Sequence, residues 1–320
     1  MLLSSGRIKE SLDAMQTVIA LHKKSTRGIG DSHIIHIDMA LISLLDGEFY
    51  QHRADVASVY ESAVDNNDDG TLAEAACMMV QSLLLAPPHF PEGITDVTNW
   101  ISVAENMFET WTDAKTSNVH LLNISSALFL YYSFKDAKRA QTYGNQFLSA
   151  LGESSSRLKS PLGYLIAPYI FFFLIGQHRM YTSNCEQQEE TAAWKLSEAT
   201  RAVEIAYQAL KVLEKWWAFA PPLIFLAEGL VALFKGSPKK AVRSWRKGIK
   251  KTDEISDNLK FLKATLQTRV VRYSPGNDAM KMEVAEFLQK VNARTELSLL
   301  AGEAFSPLPD LDDEETMSLS

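Results

Sequence analysis

Apolar residues recur along most of the chain at the spacing of three to four positions that places them on one face of an α-helix. Almost no stretch alternates apolar and polar residues as a half-buried strand does. The pattern breaks at prolines, which remove a backbone donor and clash with the preceding helical turn. It predicts an all-α protein with helices over 7–24, 31–46, 50–65, 71–86, 95–111, 118–133, 135–151, 161–176, 188–217, 222–235, 238–253, 257–272 and 278–301.

Several of these helices share one layout. In "GSPKKAVRSWRKG", Gly236 is followed by the small residue Ala241 and then by Trp245. The stretches "GRIKESLDAMQTV" and "GEFYQHRADVASV" repeat the layout from Gly6 and Gly47. A glycine permits a tight turn between two helices, and a small residue permits their close approach. The layout therefore predicts pairs of helices joined by short turns.

Helix pairs of this kind stack, because each pair has one face that it cannot bury alone. We expect an α-α superhelix of irregular helix pairs over residues 1–305, with a candidate sub-boundary near 152–160. Gly6 lies so close to the start that the first helix of its pair is missing, so we expect the chain to begin in mid-repeat, as part of a longer protein. Residues 306–320 combine prolines and acids with few apolar residues, which predicts a disordered acidic tail.

The composition is that of an ordinary globular protein, with 46% hydrophobic and 22% charged residues. A net charge of −7 argues against a general nucleic-acid-binding protein, which would have an excess of Lys and Arg. The two cysteines, Cys77 and Cys185, predict reduced thiols and a cytoplasmic location rather than a disulfide framework.

The most apolar segment is "PLGYLIAPYIFFFLIG", residues 161–176. A membrane-spanning helix needs about 20 apolar residues, and this segment is shorter and contains Pro168. We predict a buried helix and no membrane contact. Membrane association through this segment is the alternative.

Catalytic motifs are missing from the sequence. It contains no Gly-x-x-x-x-Gly-Lys-Ser/Thr, Cys-x-x-Cys, His-Glu-x-x-His or Gly-x-Ser-x-Gly pattern. In "DSHIIHIDMA", His33 and His36 have the spacing of residues on one helix face, so a motif-poor helical enzyme or a metal-binding protein is an alternative. The simpler interpretation is a helix start capped by Asp31 or Ser32. We predict no catalytic residue, no cofactor and no metal.

One helix carries a dense positive charge. Eight Lys or Arg residues and no acid lie between Lys235 and Lys251. Helical geometry places Trp245 in the core and most of the cations on the opposite face. That face is either merely solvated or binds an acidic partner. Its candidate residues are Lys239, Lys240, Arg243, Arg246, Lys247, Lys250 and Lys251.

The stretch "FLAEGLVALFKGSPKKAVRSWRKGIKK" resembles a tetratricopeptide-type repeat. Gly229 stands in the first helix of the pattern, and Gly236, Ala241 and Trp245 stand at its turn and second-helix positions, so the resemblance assigns these four to packing within the repeat. The stretch departs from the pattern at Glu228, Ala232 and Asp253.

Residues 222–301 are similar to the carboxy-terminal helical repeats of large multidomain signalling ATPases, including the soluble class of adenylyl cyclases. The resemblance implies that this chain is the tail of such a protein and lacks its catalytic domains, although the parent could be a nucleotide cyclase. We therefore expect a non-catalytic scaffold for protein–protein interaction or regulation that works through a concave or edge surface. Its partner would be another protein or the attached domains, not nucleic acid.

Overall fold

The computed structural model describes residues 32–87, 97–113, 118–187, 195–215, 217–257 and 259–302, together with residues 10, 13, 14 and 17. These residues form fourteen α-helices and one 3₁₀ helix and contain no strand, which confirms the predicted all-α helical-repeat fold. The helices are α1 (Ser32–Asp46), α2 (Phe49–Asn66), α3 (Asp69–Leu85), α4 (Val97–Asp113), α5 (Asn118–Tyr132), α6 (Ala137–Glu153), α7 (Ser155–Leu158), α8 (Ala167–Gln187), α9 (Leu196–Leu213), α10 (Ala220–Phe234), α11 (Pro238–Ile255), α12 (Lys260–Tyr273), α13 (Asp278–Lys290) and α14 (Arg294–Ala301).

Most consecutive helices pack against each other, and the last helices also pack back against the first ones described. The Lys260 ammonium lies 3.3 Å from an Asp46 carboxylate oxygen, which joins α12 to the end of α1. The Thr295 hydroxyl donates a 2.6 Å hydrogen bond to the Leu84 carbonyl, which joins α14 to α3. The described part of the superhelix is therefore closed on itself.

Helix α8 lies in the interior of this arrangement. The apolar segment predicted as one helix over 161–176 begins instead as a 3₁₀ helix, Pro161–Ile166, and continues as α8. Pro168 falls in the first turn of α8, where its missing N–H is not needed. Every residue over 166–178 is buried. The segment thus forms part of the core, and none of the helices within the described residues has the length and hydropathy needed to cross a membrane.

Side chains of α8 contact helices from several parts of the chain. Phe173 stacks on Phe147 of α6 with ring centroids 4.4 Å apart. The Tyr169 hydroxyl donates a 2.9 Å hydrogen bond to Glu74 of α3. Residues on both sides of the candidate boundary at 152–160 belong to this same continuous core.

The connection between α10 and α11 is the tight turn that was predicted from Gly236. Gly236 has a φ of 70°, in the left-handed region. Its N–H donates to the Leu233 carbonyl, and the Ser237 N–H donates to the Ala232 carbonyl, both at 2.8 Å. This is the Schellman arrangement, which pairs carbonyls that the helix leaves free. Gly47 makes the same turn with a φ of 87°.

Asparagine takes the place of glycine at two further turns. Asn67 and Asn292 have φ values of 52° and 55°, because asparagine tolerates the left-handed region better than most residues. The turn at Asn292 divides the single helix predicted over 278–301 into α13 and α14.

His52 occupies the position where the repeat layout has a small residue elsewhere. Its ring nitrogens lie 2.7 Å from the Ala40 carbonyl of α1 and 3.3 Å from the Met78 carbonyl of α3, and the single N–H of the neutral ring donates to one of them. Burial lowers the pKa of His52 to about 4, and the imidazole is neutral at pH 7. A polar side chain thus fills the position that Ala241 occupies in the α10–α11 pair.

Trp245 and Gly229 hold the α10–α11 pair together. Trp245 is fully buried, and its Nε1–H donates a 3.2 Å hydrogen bond to the Leu226 carbonyl. A Cβ atom on Gly229 would lie 2.0 Å from that nitrogen. The tryptophan therefore fits only because position 229 has no side chain.

The substitution Gly229→Ala should lower the free energy of unfolding by about 1–3 kcal/mol, because a methyl group would force Trp245 from its place. The matched control is Gly152→Ala in α6, where a Cβ would meet nothing within 4 Å. This control should raise the free energy of unfolding by up to about 1 kcal/mol, since alanine favours the helix. Chemical denaturation measures both, and equal effects of the two substitutions would contradict the packing role of Gly229.

Candidate functional site

Helix α11 presents the predicted cations to solvent. We call Lys239, Lys240, Arg243, Arg246, Lys247, Lys250 and Lys251 the basic face, and all seven are exposed. The opposite side of the helix is buried through Ala241, Trp245, Gly248 and Thr252. Packing of this apolar stripe against α10 and α12 therefore fixes which way the basic face points.

The carboxy-terminal half of the basic face is partly engaged within the chain. Lys250 and Lys251 lie 3.8 Å and 2.6 Å from the Glu254 carboxylate, and the hydrogen bond from Lys251 lowers the pKa of Glu254. The Arg246 guanidinium lies 3.5 Å from the Asn277 side-chain oxygen. The Lys247 ammonium lies 5.9 Å from the centre of the Phe225 ring.

The amino-terminal half of the basic face differs from the other half in its ion pairing. Within the described part of the chain, no ion pair involves Lys239, Lys240 or Arg243. The first turn of α11 contains no acid, and the N-cap residue Ser237 makes no side-chain capping bond. The positive end of the helix dipole adds to the charge of Lys239 and Lys240. The field there favours an anion.

A second group of polar and charged side chains lies between α8, α12 and α14. We call His178, Arg179, Arg269, Arg272 and Glu296 the buried polar cluster. Its members line a cavity of about 20 Å³, which is room for about one water molecule. A cavity of this size is too small for an organic substrate.

The centre of the cluster is a two-point ion pair. The Arg269 Nη1 and Nη2 atoms lie 2.9 Å and 3.4 Å from the Glu296 oxygens. Each side chain is only 1% exposed. Burial raises the pKa of Glu296, and the charge of Arg269 opposes that shift. The pair connects α12 to α14 and so contributes to closure of the superhelix.

His178 lies beside this pair as a neutral imidazole. Burial, together with the charges of Arg269 and Arg272, holds its pKa well below the usual value. Its Nε2 atom is 3.1 Å from the Tyr273 hydroxyl, and Tyr273 in turn lies 5.6 Å from the Trp245 ring. The buried polar cluster and the buried side of α11 are therefore in contact through aromatic rings.

The sequence did not reveal the buried polar cluster, because its members come from three helices that are distant in the chain. The only local signal was the arginine in the middle of "LKATLQTRVVRY", among residues that are mostly buried. Nothing in that stretch identifies Glu296 as the partner.

The histidines considered for metal binding fall in α1. The side chains of His33 and His36 lie outside the described residues, as does Asp31. Among the side chains that the structure does describe, no group of three or more His, Cys, Asp or Glu residues is arranged to hold a metal ion. The acidic tail over 306–320 also lies outside the described residues.

No known protein family matches the chain, and no curated protein matches its sequence. The class is therefore defined by the fold alone, as an all-α protein compatible with a helical-repeat region.

Replacing Glu296 by Gln should lower the free energy of unfolding by about 3–5 kcal/mol, because it leaves the Arg269 charge buried without a counter-charge. The double variant Arg269→Met, Glu296→Leu should lose less, since it removes both charges. Glu214→Gln is the control: it breaks the exposed 3.3 Å pair with Lys211 and should change stability by less than about 1 kcal/mol. Urea denaturation of the three variants distinguishes these cases. A Glu296→Gln variant as stable as the control would contradict the importance of the pair.

Proposed function

We propose that this chain is a non-catalytic helical-repeat scaffold that binds an acidic segment of a protein partner through the basic face of α11. The main support is the group Lys239, Lys240 and Arg243, which is exposed and forms no ion pair within the described residues. Clustered cations on a rigid helix create a local field that attracts acidic groups and orients them.

A protein ligand fits this surface better than nucleic acid does. The cations occupy one helix, and they belong to a chain with a net charge of −7. A nucleic acid would bring its phosphates close to the acidic remainder of the surface, whereas a short acidic segment need contact only α11. Salt should weaken the binding, because exposed charges are screened over about 10 Å at 0.1 M.

The triple variant Lys239→Glu, Lys240→Glu, Arg243→Glu should weaken binding of a fluorescent oligoglutamate peptide at least about tenfold, which corresponds to about 1.4 kcal/mol. The control triple variant, Lys138→Glu, Arg157→Glu, Lys159→Glu, makes the same change in net charge at exposed positions of other segments. It should bind nearly as well as the unchanged protein. Fluorescence anisotropy measures both, with circular dichroism as the check on folding.

Two results would contradict this function. Equal loss in the two triple variants would mean that net charge, and not the basic face, governs binding. Tighter binding of a labelled oligonucleotide than of the acidic peptide at 0.15 M salt would make nucleic acid the ligand.

We also propose that the chain is the carboxy-terminal part of a larger cytoplasmic signalling protein of the ATPase or soluble adenylyl cyclase type. The support is the resemblance of residues 222–301 to helical repeats of that class, and the partner would then include the attached domains. An antibody against residues 306–320 should detect a band far above 35.7 kDa on a denaturing gel of source cells. A band at 35.7 kDa would contradict this proposal and leave a free-standing scaffold.

A further inference from the structure

We propose that the acidic segment 310–315 of this chain docks on the amino-terminal half of the basic face, at Lys239, Lys240 and Arg243. The docked segment covers the surface to which we assign partner binding, so the tail regulates access to it. Only this regulatory consequence rests on the proposed function. The docking itself depends on position, reach and charge.

The described chain ends beside the basic face. Gly302 lines a groove of about 450 Å³ that is also lined by residues 275–277 between α12 and α13 and by Asp278 at the start of α13. One of these, Asn277, is the residue whose side-chain oxygen lies 3.5 Å from Arg246. The described chain therefore ends on the same groove as a residue that contacts Arg246 of the basic face.

The connecting chain is long enough to reach its target. Seven residues lie between Gly302 and Asp310, and the eight steps from one residue to the next span up to about 26 Å when the chain is extended. Arg246 and Lys239 are seven residues apart on a helix, a distance of about 10 Å along its axis. The segment can cover the amino-terminal half of the face without being stretched.

The charge of segment 310–315 is complementary to that of the basic face. Five of the six residues in the segment are acidic: Asp310, Asp312, Asp313, Glu314 and Glu315. The described ion pairs already engage Lys250 and Lys251 with Glu254 but leave the amino-terminal cations unengaged. Acids at the amino terminus of α11 would also interact favourably with the helix dipole, where the helix itself has none in its first turn. These charges favour the amino-terminal half over the rest of the face.

Attachment to the same chain makes this weak contact effective. A short flexible linker gives a tethered segment an effective concentration in the millimolar range. The tail then competes with any acidic partner whose own binding is weak, and only a partner with more charges or a higher concentration displaces it.

The test compares the unchanged full chain with two variants, a neutral form and a charge-preserving control, by amide NMR at low salt. The neutral form carries Asp310→Asn, Asp312→Asn, Asp313→Asn, Glu314→Gln and Glu315→Gln. The charge-preserving control exchanges Asp for Glu, and Glu for Asp, at the same five positions. We expect the signals of residues 239–246 to shift in the neutral form and not in the control. High salt should shift the unchanged protein towards the neutral form, because exposed ion pairs are screened.

The outcomes separate docking from partner binding. Docking predicts that the neutral form binds the oligoglutamate peptide about tenfold more tightly than the control form. This factor is expected when the effective concentration of the tail is about ten times the dissociation constant of the tail for the basic face. Signals of residues 239–246 that are identical in all three forms would overturn the docking, even if the peptide binds. Shifted signals without peptide binding to any form would leave the docking intact and overturn the proposed function. Shifts that disappear on dilution would also overturn the proposal, because they would place the tail on a second copy of the chain.

Discussion

Helix α8 has apolar side chains on every side along its first half, and this imposes the main constraint on the fold. A helix of that kind is stable in water only when other helices surround it. Its packing partners include α5, through the Phe129–Phe173 contact. They also include α3, α6 and α10, through the Tyr169–Glu74, Phe173–Phe147 and Tyr181–Phe234 contacts. The helix pairs therefore curve around α8 until the last of them meets the first, and the open concave surface of an extended solenoid is not formed in the described part.

Closure depends on contacts between residues that are far apart in sequence. Thr295 binds the Leu84 carbonyl, and Asn292 donates to the Pro87 carbonyl. The Arg269–Glu296 pair fixes α14 on α12 and so positions both contacts. Because burying a charge pair is costly unless its geometry is good, the pair tolerates little displacement of α14.

The parts of the fold that the sequence predicted are those with local causes. The burial of Trp245 and the turn at Gly236 follow from helical periodicity and from the conformational freedom of glycine. The turn at Asn292 was missed because asparagine also occurs commonly outside the left-handed region. Similarly, the basic face was recognisable because its residues share one helix, whereas Glu296 has no local feature that marks it as the partner of Arg269. The features that the sequence did not predict depend on tertiary contacts, and helical periodicity does not encode those contacts.

The burial of α8 contrasts with the exposure of the surface that we propose for partner binding. Within the described residues the first half of α8 is buried, whereas the basic face lies on the exposed surface. Its cations contribute little to the fold, because exposed ion pairs are worth about 0–1 kcal/mol at most. At Lys239 and Lys240 the helix dipole even makes positive charge unfavourable. Folding therefore gives no reason for cations at these positions, whereas the recognition of an acidic segment that we propose would supply one.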